Sequence, residues 1–149
     1  MLKTMYKLTA KIGTAFSTTW TYADLGAGIE NISEALNEVV QQFQFMSGQG
    51  FATNHVTGMA PSFTFTGRRV IGDTAQDYIF GKKYGLDTER ESSFQLSYYD
   101  AASTPVLHTI TVPCTICNIQ EWSGAATDDS AISFEIRFNG APTATTGSN

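Results

Sequence analysis

Apolar residues recur at every second position through much of this chain, the period of a strand with one face buried. In Tyr6-Lys7-Leu8-Thr9-Ala10-Lys11-Ile12 the alternation leaves Lys7, Thr9 and Lys11 on the wet side; a short amphipathic helix fits this stretch less well. Ser62–Arg68 alternates cleanly through Phe63 and Phe65, and the stretch 131–138 does so through Ile132, Phe134, Ile136 and Phe138. Between them, Phe94–Tyr98, Val106–Val112 and Cys114–Trp122 read as further strands, with Pro113 separating the last two. Four strands joined by short turns make a meander. Trp20-Thr21-Tyr22 reads as strand until Gly26-Ala27-Gly28 breaks it. Residues 33–40 have helix propensity, but the Val and Phe content that follows predicts strand from about Asn37.

One helix stands out, over about residues 73–84. Asp73 can cap it, Gln76 completes a capping-box spacing, and Ala75, Tyr78 and Ile79 share a face. Lys82 and Lys83 suit its C-terminal end, and Gly85 suits the residue beyond. Residues 46–61 hold three glycines and a proline, which predicts a long loop. Loops of that length in compact domains are functional or meet a partner. The stretch 140–149 is rich in Ala, Thr, Gly and Ser and reads as a flexible tail.

Composition agrees with a mainly β, single-domain chain spanning residues 1–149. The 149 residues suffice for one core without staples or metals. Aromatic residues reach 12% while charged residues are only 15%, a thinly charged surface suited to burial against neighbouring subunits. The net charge of −5 argues against gripping nucleic acid, because phosphate binding needs a positive footprint. No apolar run is long enough to span a membrane, and the opening residues carry lysines without an apolar signal segment. Two cysteines three apart suit a reducing compartment.

Catalytic motifs do not emerge. A redox Cys-x-x-Cys needs a helix N-terminus to depress a thiol pKa, whereas Cys114 and Cys117 fall among strands, on opposite faces, with no second pair for zinc. Two small buried thiols are expected. His108 lies in the polar phase of a strand and reads as solvated or satisfied, while His55, in the long loop, has more claim to an interface. No hydrolase, metalloprotease, nucleotide-binding or calcium motif is present, and Gly48-x-Gly50 lacks a βαβ context. The expectation is a non-enzyme without cofactor or metal.

Several stretches carry a resemblance. They are Leu36-Asn37-Glu38-Val39-Val40, Gly48-x-Gly50-Phe51-Ala52, Val56-Thr57-Gly58, the run from Phe65 to Ile79, Val112-Pro113-Cys114-x-x-Cys117-Asn118-Ile119 and the run from Phe134 to Pro142. In this order they resemble the tail tube (major tail) proteins of siphophages and related prophages of Gram-positive hosts, the Gly72–Ile79 segment weighing most. The resemblance implies an antiparallel β-sandwich or barrel with one packed helix. It also implies hexameric rings whose inner strands join into one continuous barrel, and which stack into a hollow tube that DNA traverses. Residues 1–18 become an N-terminal arm, 46–61 an inter-subunit loop and 140–149 a C-terminal tail.

Further expectations follow from this resemblance. Gly48, Gly50, Phe51, His55 and Met59 are expected at the subunit interface. A conduit gains nothing from binding DNA, so some of Glu34, Glu38, Glu91, Asp128 and Asp129 are expected to face the channel. The implied partners are further copies of the chain, a tape measure protein, a tail terminator and baseplate or tail-tip proteins. The implied place is the virion, with host cytoplasm during assembly. Competing readings are another ring-forming virion part, such as a terminator or connector, and a β-sandwich binding module. The latter would want aromatic platforms, whereas Trp20 and Trp122 stand alone.

Overall fold

Alternation at the sequence level becomes a two-layered core in the computed structural model, which describes residues 2–100 and 103–148. Ten strands form in chain order: β1 (Thr9–Phe16), β2 (Trp20–Asp24), β3 (Ile29–Ala35), β4 (Val39–Phe43), β5 (Thr53–Gly58), β6 (Ser62–Arg68), β7 (Glu91–Tyr99), β8 (Val106–Gln120), β9 (Ala131–Phe138) and β10 (Thr143–Ser148). One α-helix, α1 (Thr74–Gly81), lies between β6 and β7. The main sheet runs β2-β1-β7-β8-β9-β6-β3, all antiparallel, with β10 added on β8; β4 and β5 pair only with each other.

This sheet folds over on itself. Phe63 on β6 and Phe94 on β7 are separated by two strands in the sheet order, yet their ring centroids lie 5.4 Å apart. Phe65 also meets Phe94 edge-on at 6.0 Å and stacks on Phe134 at 5.0 Å. The expected antiparallel sandwich is therefore present, its filling the alternate residues Ile12, Phe63, Phe65, Phe94, Val112, Cys114, Ile116, Ile132, Phe134 and Ile136. Helix α1 packs Ala75, Ile79 and Phe80 into the same core.

β8 bridges both layers. One of its edges pairs with β7 over 107–115; the other pairs first with β10 over 106–111 and then with β9 from Cys114 onward. Pro113 consequently does not divide two strands as the sequence suggested: β8 is one strand of 15 residues. The Pro113 carbonyl accepts from Asn139 N at 2.8 Å, so its nitrogen points to that same side, where the partner changes from β9 to β10. A residue without an N–H costs no ladder bond at that corner.

Other boundaries also move. Helix α1 is shorter than 73–84. Asp73 caps it, its carboxylate accepting from Gln76 N at 3.1 Å, but the Gln76 side chain does not return to the cap. Its amide instead accepts from Val70 N (2.8 Å) and donates to the carbonyls of Ala27 (2.8 Å) and Arg68 (3.0 Å), tying helix, β6 and the β2–β3 corner together. At that corner the chain backbones touch. A Cβ on Gly67 would sit 2.0 Å from the Gly28 carbonyl oxygen, so only glycine fits. The strand expected from Asn37 starts earlier, at Ile29, and is split by Asn37, whose φ of 50° turns the chain into β4. The long loop 46–61 holds β5, and the tail expected to be flexible holds β10 along β8. A Thr-Ala-Thr-Thr-Gly-Ser run has little to bury, so its pairing comes from β8, not from its own composition.

Candidate assembly interface

Strands β4 and β5 form an arm. Its base is fastened where Asn37 Nδ2 donates to the Ala60 carbonyl at 3.0 Å, Ala60 N donates to the Leu36 carbonyl at 3.0 Å, and Thr57 Oγ1 reaches the Val39 carbonyl at 3.3 Å. Beyond that, β4 pairs with β5 from Val39↔Gly58 to Phe43↔Thr53, and Gln42 bonds Asn54 across the ladder at 3.2 Å. No residue of β4 or β5 is buried. The arm is nonetheless apolar: Val39, Val40, Phe43, Phe45, Val56 and Met59 are exposed, Phe51 is 80% exposed and Met46 fully so. Phe43 stacks on Phe45 at 5.8 Å and meets His55 edge-on at 5.9 Å, so these rings pack against others of the same arm. An isolated two-stranded hairpin is marginal in water, and an exposed apolar surface of this kind marks an interaction site.

Gly48, Gly50, Phe51, His55 and Met59 all belong to this arm or its tip. Reading the segment as a loop missed β5, because Thr53–Gly58 mixes polar residues, glycine and histidine. The acidic residues are not gathered. Glu34 is the last residue but one of β3, Glu38 precedes the arm, Glu91 opens β7 beside Thr115, and Asp128 and Asp129 lie in the β8–β9 turn. There Asp128 accepts from Ala125 N, and the Asp129 carbonyl accepts from Arg68.

Charge is concentrated elsewhere, in a cluster of residues distant in sequence. Arg69 donates to Glu121 at 2.8 Å and to Asp77 at 2.9 Å, and Lys83 donates to Glu121 at 2.6 Å. Burial opposes ionisation of Glu121, yet the hydrogen bonds from Lys83 and Arg69 outweigh it and hold the carboxyl below its usual range. Lys83 is raised by its bond to Glu121. Arg69 is raised as well, its bonds to Glu121 and Asp77 overcoming desolvation. The Arg69 guanidinium lies 4.8 Å from the Phe80 ring centroid. This cluster fastens the 68–72 corner and α1 to the end of β8.

The cysteines do lie on opposite faces. Cys114 is in the core, where burial pushes its thiol up to about 12. Cys117 is only half-buried, which corrects the expectation of two buried thiols; it shares the outer face with Glu135. His108 is satisfied: its Nε2 lies 3.1 Å from Asp100 and its ring stacks on Tyr98. Among the described residues no group of three His, Cys, Asp or Glu side chains could hold a metal, and no helix is long and apolar enough to cross a membrane.

No family model and no curated protein matches this sequence. Its fold does have counterparts among solved structures. A chain from the tail of an empty gene transfer agent particle with C6 symmetry superposes with a TM-score of 0.71, covering 97% of this chain and 99% of that one at 14% identity. A chain of the cap that terminates the anti-feeding prophage tube gives 0.59, covering 99% and 93% at 12% identity. A chain of the extended sheath–tube complex of an extracellular contractile injection system gives 0.57, covering 98% and 91% at 10% identity. At these identities the likeness shows the fold alone: this β-sandwich with one helix recurs in chains of a gene transfer agent tail, a tube-terminating cap and a sheath–tube complex.

Proposed function

We propose that this chain is a tail tube subunit, whose copies close into six-membered rings that stack into the hollow tail of a virion and let DNA pass. The observation that carries this reading is the β4–β5 arm, an apolar hairpin that finds no cover within its own domain. Such an arm is accounted for when another copy buries it. The fold shared with a tail of C6 symmetry supports a ring of six. The free strand edge of β3, at one end of the main sheet, is a liability in a monomer and a joint in an assembly. Tape measure, terminator and baseplate proteins would be its partners at the ends, and the chain itself would do no chemistry. The net charge of −5 per copy, repeated around each ring, favours a channel wall that repels the duplex within roughly one Debye length, about 8 Å at physiological salt. Net positive potential on the inner wall of an assembled ring would contradict that part of the reading.

Negative-stain electron microscopy of the purified protein over rising concentration tests the proposal. Hollow filaments of uniform width are expected. A monodisperse monomer at every concentration would overturn it. A second reading, a tube-ending cap, is favoured by the match to the anti-feeding prophage cap. It would give single rings and no filaments.

A further inference from the structure

Two stretches of strand edge are left open in one layer of the sandwich, and they are complementary. That layer is β3-β6-β9-β8, four strands alternating in direction. At one end β3 pairs only with β6. At the other, β7 leaves β8 after the pair Glu91↔Thr115, so 116–120 has no strand on that side. Each edge borders a cleft: Met5 and Tyr6 face 29–32 across one, and Leu86, Asp87 and Arg90 face 115–118 across the other.

Direction discriminates between the possible joints. An even number of antiparallel strands makes β3 run opposite to β8, so β3 of one copy can continue the sheet of the next in antiparallel pairing. The other layer, β10-β8-β7-β1-β2, has five strands, so its outer strands β10 and β2 run the same way and copies would meet in parallel, the less stable arrangement. Charge agrees. Arg90 spends its donors on the carbonyls of Gly85, Ile116 and Lys83, and among the described residues no carboxylate pairs with it. Glu34, exposed on β3, has no cation either among the described residues. It shares the side of β3 that faces Phe63, whereas Asn31 and Ser33 share the face of Thr66 and Thr64.

We infer that β3 of one copy pairs antiparallel with the 116–120 edge of β8 in a second copy, with Glu34 meeting Arg90 across the joint. This rests on the ring reading above and specifies its interface. It takes Glu34 out of the channel-lining set; the outer face of this layer carries Asn31, Ser33, Thr64, Thr66, Ser133 and Gln120 beside the Glu135–Arg137 ion pair. A heterologous joint of this kind closes a ring and hides both edges at once.

Cys117 supplies a native reporter, since it lies on the same face as Ser33, in the row Ser33–Thr64–Glu135–Cys117. Asn31→Cys, Ser33→Cys and Ala35→Cys are made singly and the assembled protein is oxidised with diamide. At least one variant should yield a ladder of disulfide-linked copies that disappears in a Cys117→Ser background. Thr21→Cys on β2 and Thr145→Cys on β10 should not link to Cys117. In addition, Glu34→Lys, an exposed change, should raise the concentration needed for assembly about tenfold at low salt and less at high salt. Tubes that form without any link from β3, or with links from β2 or β10, overturn the pairing while sparing the tube reading. Assembly unaffected by Glu34→Lys overturns the contact with Arg90. Failure of the wild type to assemble at all removes both.

Discussion

Arg69 and Glu121 lie 52 residues apart in sequence, yet guanidinium and carboxylate meet at 2.8 Å with side chains only 9% and 10% exposed. Their contact joins the corner before α1 to the end of β8, and Asp77 and Lys83 complete it. Removing one partner leaves the other charge enclosed, so Glu121→Gln should cost about 2–3 kcal/mol at neutral pH. The direction with pH follows from the lowered pKa of Glu121. A depressed carboxyl stabilises the fold above its unfolded value, 4.5, and that contribution is lost as pH falls through the folded value. Glu135, lowered chiefly by its bond from Arg137, acts in the same sense. Urea unfolding at pH 7 and in acid should therefore find the Glu121→Gln penalty shrinking on acidification; an equal penalty at both would count against the pairing.

Gln76 is a fully buried amide with every polar atom engaged. Gln76→Leu keeps the bulk but strands Val70 N and the carbonyls of Ala27 and Arg68. A loss of about 2–4 kcal/mol is expected, read as a lowered denaturation midpoint with unchanged slope. Thr74→Ala, at an exposed position on the same helix, should change little.

Gly67→Ala places a methyl group on the Gly28 carbonyl and cannot be accommodated without parting β6 from the β2–β3 corner. About 3 kcal/mol of destabilisation is expected, measured by thermal unfolding. A near-neutral result would mean the corner is looser than its geometry indicates.

The two thiols should separate cleanly by reactivity. In folded monomer, an aromatic disulfide reagent should titrate Cys117 and leave Cys114 untouched until denaturant is added, because burial keeps Cys114 protonated up to about pH 12. Cys114→Ser should cost about 1–3 kcal/mol for a hydroxyl placed in the core. Equal reactivity of both in the native protein would contradict the burial of Cys114.

Trimming the arm separates folding from assembly. Replacing the segment between Gln42 and Asn54 by a two-residue Asn-Gly turn removes Phe43, Phe45, Met46 and Phe51, none of which touches the core. Stability should stay within about 0.5 kcal/mol of wild type while filament formation disappears. Normal filaments from the trimmed protein would deny the arm any part in assembly.

What the sequence reveals depends on whether a residue's neighbours are local. The alternation of Ile132, Phe134, Ile136 and of Phe63, Phe65 predicts core strands because period and burial coincide there. Asp73 is legible as a cap because its partner is three residues away. The arm is not legible as an arm: Val39 and Phe43 alternate as core residues do, and only the three-dimensional fold reveals that nothing covers them. β10 is illegible because β8 supplies its order, and Pro113 misleads because the strand beside it changes partner. The Arg69–Glu121 cluster has no local signature at all. Phe51 near the arm's tip and Met59 at its base, by contrast, are legible as apolar residues in a glycine-rich segment.

The stacking of Phe65 on Phe134 sets a timetable for biosynthesis. β9 follows every other strand of the core, so Phe65 is made before the Phe134 on which it stacks. The layers cannot close until the last core segment emerges, and contacts between distant segments make closure slow. Because β9 also gives β8 its place in the four-strand layer, no joint between copies can be offered before translation of the core is finished. Until β9 arrives, the edges of β6 and β8 that it will pair stay open, and open edges beside uncovered apolar residues invite aggregation.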